Sequence, residues 1–218
     1  MVRTWAELRK WDSCPPRWLK WAREIQALSQ TGAHYARDVY DQQRYQRLRE
    51  ISAEMIASGS ELEFPALVSL FKAQTGYATP RVDVRAAVFQ DNRLLMVRER
   101  QDGGWTLPGG WADVGDVPSE AAEREVLEEA GFIVKARKLI GVYDANRTGP
   151  LELFHAYKLI FLCDLLGGEA APSPETSEVN FFTLEEIPAG LSGERTRPRH
   201  ILDAFEANRN PERLAIFD

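Results

Sequence analysis

The chain has 218 residues, 44% hydrophobic and 28% charged, a globular composition that excludes a disordered polypeptide. Thirty-three acidic against 27 basic side chains give a net charge of −6, which argues against broad electrostatic capture of nucleic acid. Two isolated cysteines, Cys14 and Cys163, have no metal-binding spacing and, without a signal peptide, predict a reducing cytoplasm; no apolar run approaches the roughly 20 residues of a membrane span.

In chain order, Trp5, Leu8 and Trp11 have helical spacing and stop at Cys14-Pro15-Pro16, which predicts a short amphipathic helix. Trp18, Trp21, Ile25 and Leu28 mark one face of a second helix, ended by Thr31-Gly32. These tryptophans read as core or interface anchors, with a base-stacking platform as the alternative. Tyr45, Leu48, Ile51 and Met55 mark a helix over Asp41 to Ala57, and Phe64, Leu67, Val68 and Phe71 mark another that reaches Thr75-Gly76. The composition then changes at Tyr77–Pro80, which predicts a helical N-terminal domain over 1–76 and a second domain over 77–218.

The second domain opens with a strand, Val82 to Phe89, with Val82, Val84, Ala86 and Val88 on one face, and a partner strand follows from Leu94 to Arg98. A short strand, Trp105 to Pro108, leads to Gly109-Gly110, and a helix runs from Pro118 to Ala130 with Gly131 just past its end. Further strands are expected over Ile133 to Tyr143, Leu153 to Leu166 and Val179 to Thr183, with a polar loop over Asp144 to Pro150 and a last helix over His200 to Asn208. That order predicts an α/β sandwich over a mixed sheet, preceded by a small all-helical domain.

On the Pro118–Ala130 helix, Glu125, Glu128 and Glu129 have i, i+3, i+4 spacing and project from one side, while Ala122, Val126 and Ala130 form a separate apolar strip. Like charges so placed repel, and a hard divalent cation turns the repulsion into a binding site; magnesium prefers such oxygen ligands. A solvated acidic face is the bland alternative. The loop before the helix bears on the choice: Gly110, then Asp116, then Arg124-Glu125-Val126, Glu128-Glu129 and Gly131-Phe132. This pattern resembles the signature box of the Nudix hydrolases, with Asp116 where the family usually has Glu. The N-terminal stretch from Trp18, together with GYATPRVDVRAAVF, YKLIFLC and ETSEVNFF, resembles a bacterial Nudix subgroup with a preceding helical domain, typified by CDP-choline pyrophosphatases.

The resemblance implies a Nudix-type α/β/α fold and metal-dependent hydrolysis of nucleoside diphosphates linked to another moiety X, as in CDP-choline or ADP-ribose. It assigns Glu125, Glu128, Glu129 and the Gly109 carbonyl as ligands of Mg2+, with Mn2+ as an alternative, and Gly110, Asp116 and Gly131 as structural members of the box. Arg124 is read as holding Asp116 or Glu125 by a charge-assisted hydrogen bond. Candidates for the general base are Glu178 and Glu175, with Glu125 as the alternative and a merely solvated loop as the other reading. Arg98 is a candidate phosphate contact or a surface ion pair. Trp105 and Trp111 flank the glycine pair as candidate contacts to base or leaving group, Trp105 equally as core, and His155 reads as structural. The partners expected are a small nucleoside diphosphate and a second copy of the chain, with no membrane and RNA not favoured. A nucleotide-sensing module without activity and an RNA-end-processing enzyme are the other function classes, and a diphosphate isomerase is a remote third.

Overall fold

The computed structural model describes residues 16–147, 153–193 and 195–218. The helix expected before Pro16, with Cys14, lies outside them, as does part of the 144–150 loop. The described residues divide into two compact units, one over 81–147, 156–193 and 195–218, the other over 16–80 and 153–155. Among the described residues no helix is long and apolar enough to cross a membrane.

The helical unit holds α1 (Arg17–Tyr35), α2 (Val39–Ser58) and α3 (Phe64–Ala73). Asp38 starts α2 by accepting the Tyr40 and Asp41 amides, each at 2.9 Å. α1 does not stop at Thr31-Gly32. A single helical glycine costs only about 1 kcal/mol, and here Gly32 serves packing, because a Cβ there would lie 2.2 Å from the Tyr45 ring. The buried face also differs from the one expected. Leu19, Ala22, Gln26 and Ser29 face inward, whereas Trp21 is 51% and Leu28 61% exposed. Small residues explain the change: Ala22 and Ser52 let the helices approach until Ser52 Oγ donates to the Ala22 carbonyl at 2.8 Å. The core of this unit is Leu19, Ala22, Ala53, Ile56, Leu67 and Phe71, with Leu153 and Phe154 packed on it. Those last two were expected in a strand, which instead begins at Ala156.

The second unit contains β1 (Arg81–Gln90), β2 (Arg93–Glu99), β3 (Trp105–Thr106), α4 (Pro118–Ala130), β4 (Phe132–Asp144), β5 (Ala156–Gly168), β6 (Thr176–Phe182), α5 (Pro198–Arg209) and β7 (Ile216–Phe217). The sheet order is β3-β2-β1-β5-β4-β7, with β6 also on β2. β1 runs parallel to β5, and β5 antiparallel to β4, so the sheet is mixed. β1 and β2 meet at a tight hairpin whose Asp91 and Asn92 take positive φ of 49° and 59°. Beyond the hairpin β2 pairs with β3 and β6 instead. The edge of β1 thus freed is taken by Pro108–Ala112: the Ala86 amide donates to the Pro108 carbonyl, the Val84 amide to the Gly110 carbonyl, and the Ala112 amide to the Val82 carbonyl.

Helices cover both sheet faces. Val84, Ala86, Val88, Leu95 and Val97 pack on Ala121, Ala122, Val126 and Ala130 of α4. Ala87, Met96, Leu107, Ile160 and Leu162 pack on Ile201, Ala204 and Phe205 of α5. β1 is therefore buried on both faces, not one, as befits an interior strand between two helical layers. The short β7, beside β4, was not foreseen.

His200 of α5 is buried, lies tilted against Tyr143 with ring centroids 4.7 Å apart, and accepts the Arg197 amide at Nδ1. Burial pushes its pKa well down, and Lys158, Arg197, Arg199 and Arg85 add to the effect. The unfolded imidazole takes up a proton below about pH 6.5 while the folded one does not, so stability falls by up to about 1.4 kcal/mol per pH unit there. Glu129, whose carboxyl is raised to about 7, slopes the opposite way over this range, so the readout is a difference. The stability gap between wild type and His200→Asn, which keeps an acceptor for the Arg197 amide, should shrink with this slope in urea unfolding between pH 7 and pH 5.

Candidate active site

The site is built where Pro108–Ala112 lies along β1 and α4 crosses beneath it. Gly109 has φ of 143°, and a Cβ there would sit 2.1 Å from the Val84 carbonyl oxygen, so only glycine allows this approach. With the Pro108 and Gly110 carbonyls committed to β1, the Gly109 amide donates to Glu129 Oε2 at 2.9 Å. Gly110 backs onto Glu125, whose Oε2 would be 3.0 Å from an added Cβ. α4 ends at Gly131, in the left-handed region at φ 78°, with its amide on the Leu127 carbonyl. The segment after β5 closes the helix end: the Ala171 amide and Thr176 Oγ1 donate to the carbonyls of Ala130 and Glu129.

Arg124 brackets the acidic face. Its Nη1 donates to Glu125 Oε1 at 3.1 Å and Glu128 Oε2 at 3.2 Å, and its Nη2 to Asp116 Oδ2 at 3.0 Å. The carboxylate of Asp116, one methylene shorter than the usual Glu, therefore reaches Arg124, and it also accepts the Asp113 amide at 3.0 Å. Burial pushes the Glu129 carboxyl up to about 7, against the opposing pull of the Gly109 amide and Arg85; Glu99 and Glu125 add to the rise. Burial likewise raises Glu125, with Arg124 opposing. No basic residue occupies the last turn of α4, whose dipole is itself unfavourable to Glu128 and Glu129.

These features bear on metal binding. Among the described residues, no three or more His, Cys, Asp or Glu side chains stand as a preassembled metal cage. The donor set nevertheless suits a hard divalent cation: two desolvated carboxylates one turn apart, a third beside them, and a turn without Cβ atoms against them. Arg124 pairs with two of these carboxylates, Glu125 and Glu128.

The remaining candidates fall in different places. Glu178 sits on β6 opposite Arg98, whose Nη1 bonds its Oε1 at 2.6 Å while Nε donates to the Gly103 carbonyl. The ion-pair reading of Arg98 thus describes its contacts, with Glu178 as partner. Glu175 is exposed and is one of the charges acting on Glu125. Trp105 packs edge-to-face on Phe182 at 4.9 Å within the α5-side core. Trp111 is half exposed beside Gly110, with the Arg81 guanidinium 5.8 Å from its ring centroid. His155 is exposed at the end of the 153–155 segment. Sequence reasoning missed buried Asp83, Arg85, Lys158 and Glu99. The signal was present in β1, where Asp83 and Arg85 interrupt an otherwise apolar strand at i, i+2.

Comparison with known proteins gives two family matches. The model of the NUDIX domain matches residues 79–205, and one described as "UDP-X-like, N-terminal oligomerisation domain" matches residues 16–71. A Bacillus subtilis (strain 168) protein named "Putative ADP-ribose pyrophosphatase YjhB" is 36% identical over 93% of this chain and 97% of its own length. The crystal structure of a UDP-X diphosphatase, 30% identical, superposes over 94% of this chain and 100% of that one with a TM-score of 0.60. That of an ADP-ribose pyrophosphatase from Streptococcus suis 89-1591, 34% identical, covers 64% of this chain and 100% of that one, at 0.57.

The two glycines separate packing from site geometry. Gly109→Ala drives a Cβ into backbone and should lower the urea midpoint by the equivalent of at least about 2 kcal/mol. Gly110→Ala meets only the flexible end of Glu125, so it should unfold like wild type yet weaken divalent-ion affinity about tenfold, read by titration calorimetry.

Proposed function

The chain belongs to the Nudix hydrolase family and is a diphosphatase, and from that premise we propose that it hydrolyses nucleoside diphosphates linked to a second moiety X. The products are a nucleoside monophosphate and a phosphorylated X, with CDP-choline- and ADP-ribose-type compounds as the substrates to be tried first. The observation that carries this reading is the desolvated pair Glu125 and Glu129 set against the Gly109–Gly110 turn. Support for a conjugate over a free triphosphate comes from the relatives named above, which are described as acting on UDP-X and ADP-ribose, and from the N-terminal match to a UDP-X-like domain.

Glu125, Glu128, Glu129 and the Gly109 carbonyl would hold magnesium, or manganese in its place, which would supply charge neutralisation for the diphosphate and activation of the attacking water. Arg124 keeps Glu125 and Glu128 oriented and is itself anchored through Asp116. The Gly109 amide holds Glu129 Oε2 and favours its ionised form. Glu175 is favoured over Glu178 as the base that takes the proton from the attacking water, because Glu178 is engaged by Arg98. The exposed face of Trp111 offers a stacking surface to the base or to X.

The helical unit exposes Trp21, Leu28, Tyr35, Val39 and Tyr40, and we place a homodimer contact there, in a cytoplasmic enzyme. The double variant Trp21→Glu/Leu28→Glu should then run as a monomer in light scattering at micromolar concentration, where wild type is a dimer; a wild-type monomer rejects the contact.

Activity is tested with a panel of nucleoside diphosphate conjugates and magnesium, identifying both products. Glu125→Gln and Glu129→Gln should each lose about two orders of magnitude or more in kcat while remaining folded, since each removes a charged ligand. Free nucleoside triphosphates turning over faster than every conjugate would overturn the substrate class.

A further inference from the structure

Behind the glycine turn lies a buried charge network that the signature box does not contain. Asp83 and Arg85 share one face of β1, and Lys158 of β5 stands in register with Asp83. All three are 3–5% exposed. Arg85 grips Asp83 bidentately, through Nε at 3.0 Å and Nη2 at 2.9 Å, and Lys158 Nζ adds a bond to the same carboxylate at 3.1 Å. Burying such a group is expensive, and apolar residues of similar volume commonly give equal or greater stability. Stability alone therefore does not account for it.

The remaining arm of the guanidinium points to a use. Arg85 Nη1 donates to the Leu107 carbonyl at 3.1 Å, two residues before Gly109. Its Cδ lies 3.0 Å from where a Cβ on Gly109 would be, so the turn rests on the Arg85 side chain and is also tied to it. The entrance to the turn has its own anchor, since the Leu107 amide donates to Thr196 Oγ1 at 2.9 Å. A lysine at 85 keeps the charge but cannot bind Asp83 bidentately and reach Leu107 at once.

We propose that Arg85, locked by Asp83 and Lys158, is a positioning residue for the diphosphatase reaction. It sets the Leu107–Gly110 turn at the depth where the Gly109 amide meets Glu129 and Gly110 backs Glu125. Its effect on turnover rests on the reading of Glu125 and Glu129 given under the proposed function; its effect on the turn does not.

The test is amide hydrogen exchange on metal-free protein, followed by steady-state kinetics on the same samples. In Arg85→Lys, exchange at Gly109 should rise about tenfold or more while the Leu107 amide and the β4–β5 ladder stay protected. kcat should fall about tenfold or more with KM held within about threefold, because the Leu107–Gly110 turn is displaced while Trp111 stays bridged to β1 at Asp83. Asp83→Asn, which frees Arg85 to swing, should move both readouts the same way, and it carries the test if Arg85→Lys does not fold. Wild-type exchange at Gly109 in a folded variant overturns the proposal, as does a loosened turn with unchanged kcat. Failure of both variants to fold also overturns it, since the network is then structural. If wild type cleaves no conjugate, the functional reading has failed, and exchange at Gly109 still decides whether Arg85 sets the turn.

Discussion

The site depends on one close approach, the docking of Pro108–Ala112 along the edge that β1 frees when β2 turns away. Without a Cβ at Gly109 the backbone can lie against Val84, and its amide then faces Glu129 across the top of α4. A larger residue would hold that segment off, and Glu129 would lose its amide donor while remaining desolvated. The turn, the strand and the helix are thus one geometric unit, although separate stretches of sequence supply them.

The second constraint is electrostatic. α4 carries Glu125, Glu128 and Glu129 toward its C-terminal end, where both mutual repulsion and the helix dipole oppose them. Arg124, on the same helix, bridges Glu125 and Glu128 and reaches across to Asp116. On the opposite side the Arg85 charge acts on both Glu125 and Glu129. Two guanidinium groups, one half-exposed and one buried, thus oppose the burial that raises the Glu125 and Glu129 carboxyls.

Local chemistry explains what was legible in the sequence. Pro118 and Gly131 delimit α4, and the Ala122, Val126 and Ala130 strip pointed to the sheet, because helix ends and apolar stripes are written in nearest neighbours. The α/β/α layering followed from element order. The inward face of α1 was not legible: apolarity pointed to Trp21 and Leu28, whereas the contact is made through Ala22, Ser29 and Gly32, whose smallness matters only against a particular partner. The pairing of Asp83 with Lys158 is a matter of register between strands about seventy residues apart, which periodicity cannot reveal. Within the candidate site, the helix carboxylates could be picked out from spacing, and Arg124 from the resemblance of the box. The engagement of Glu178 by Arg98 could not, since it comes from β2–β6 pairing.

Leu153 and Phe154 pack against the core of the helical unit, although the chain reaches them only after completing β4. That unit is therefore assembled from two separated stretches of polypeptide. An excised N-terminal fragment lacks part of its own interior, Phe154 against Phe71 included. During synthesis the Phe71–Phe154 contact cannot form until residue 154 has left the ribosome. The helical unit is accordingly not a cassette that recombination could move onto another hydrolase by a single junction; a functional transfer would have to carry the 153–155 segment with it.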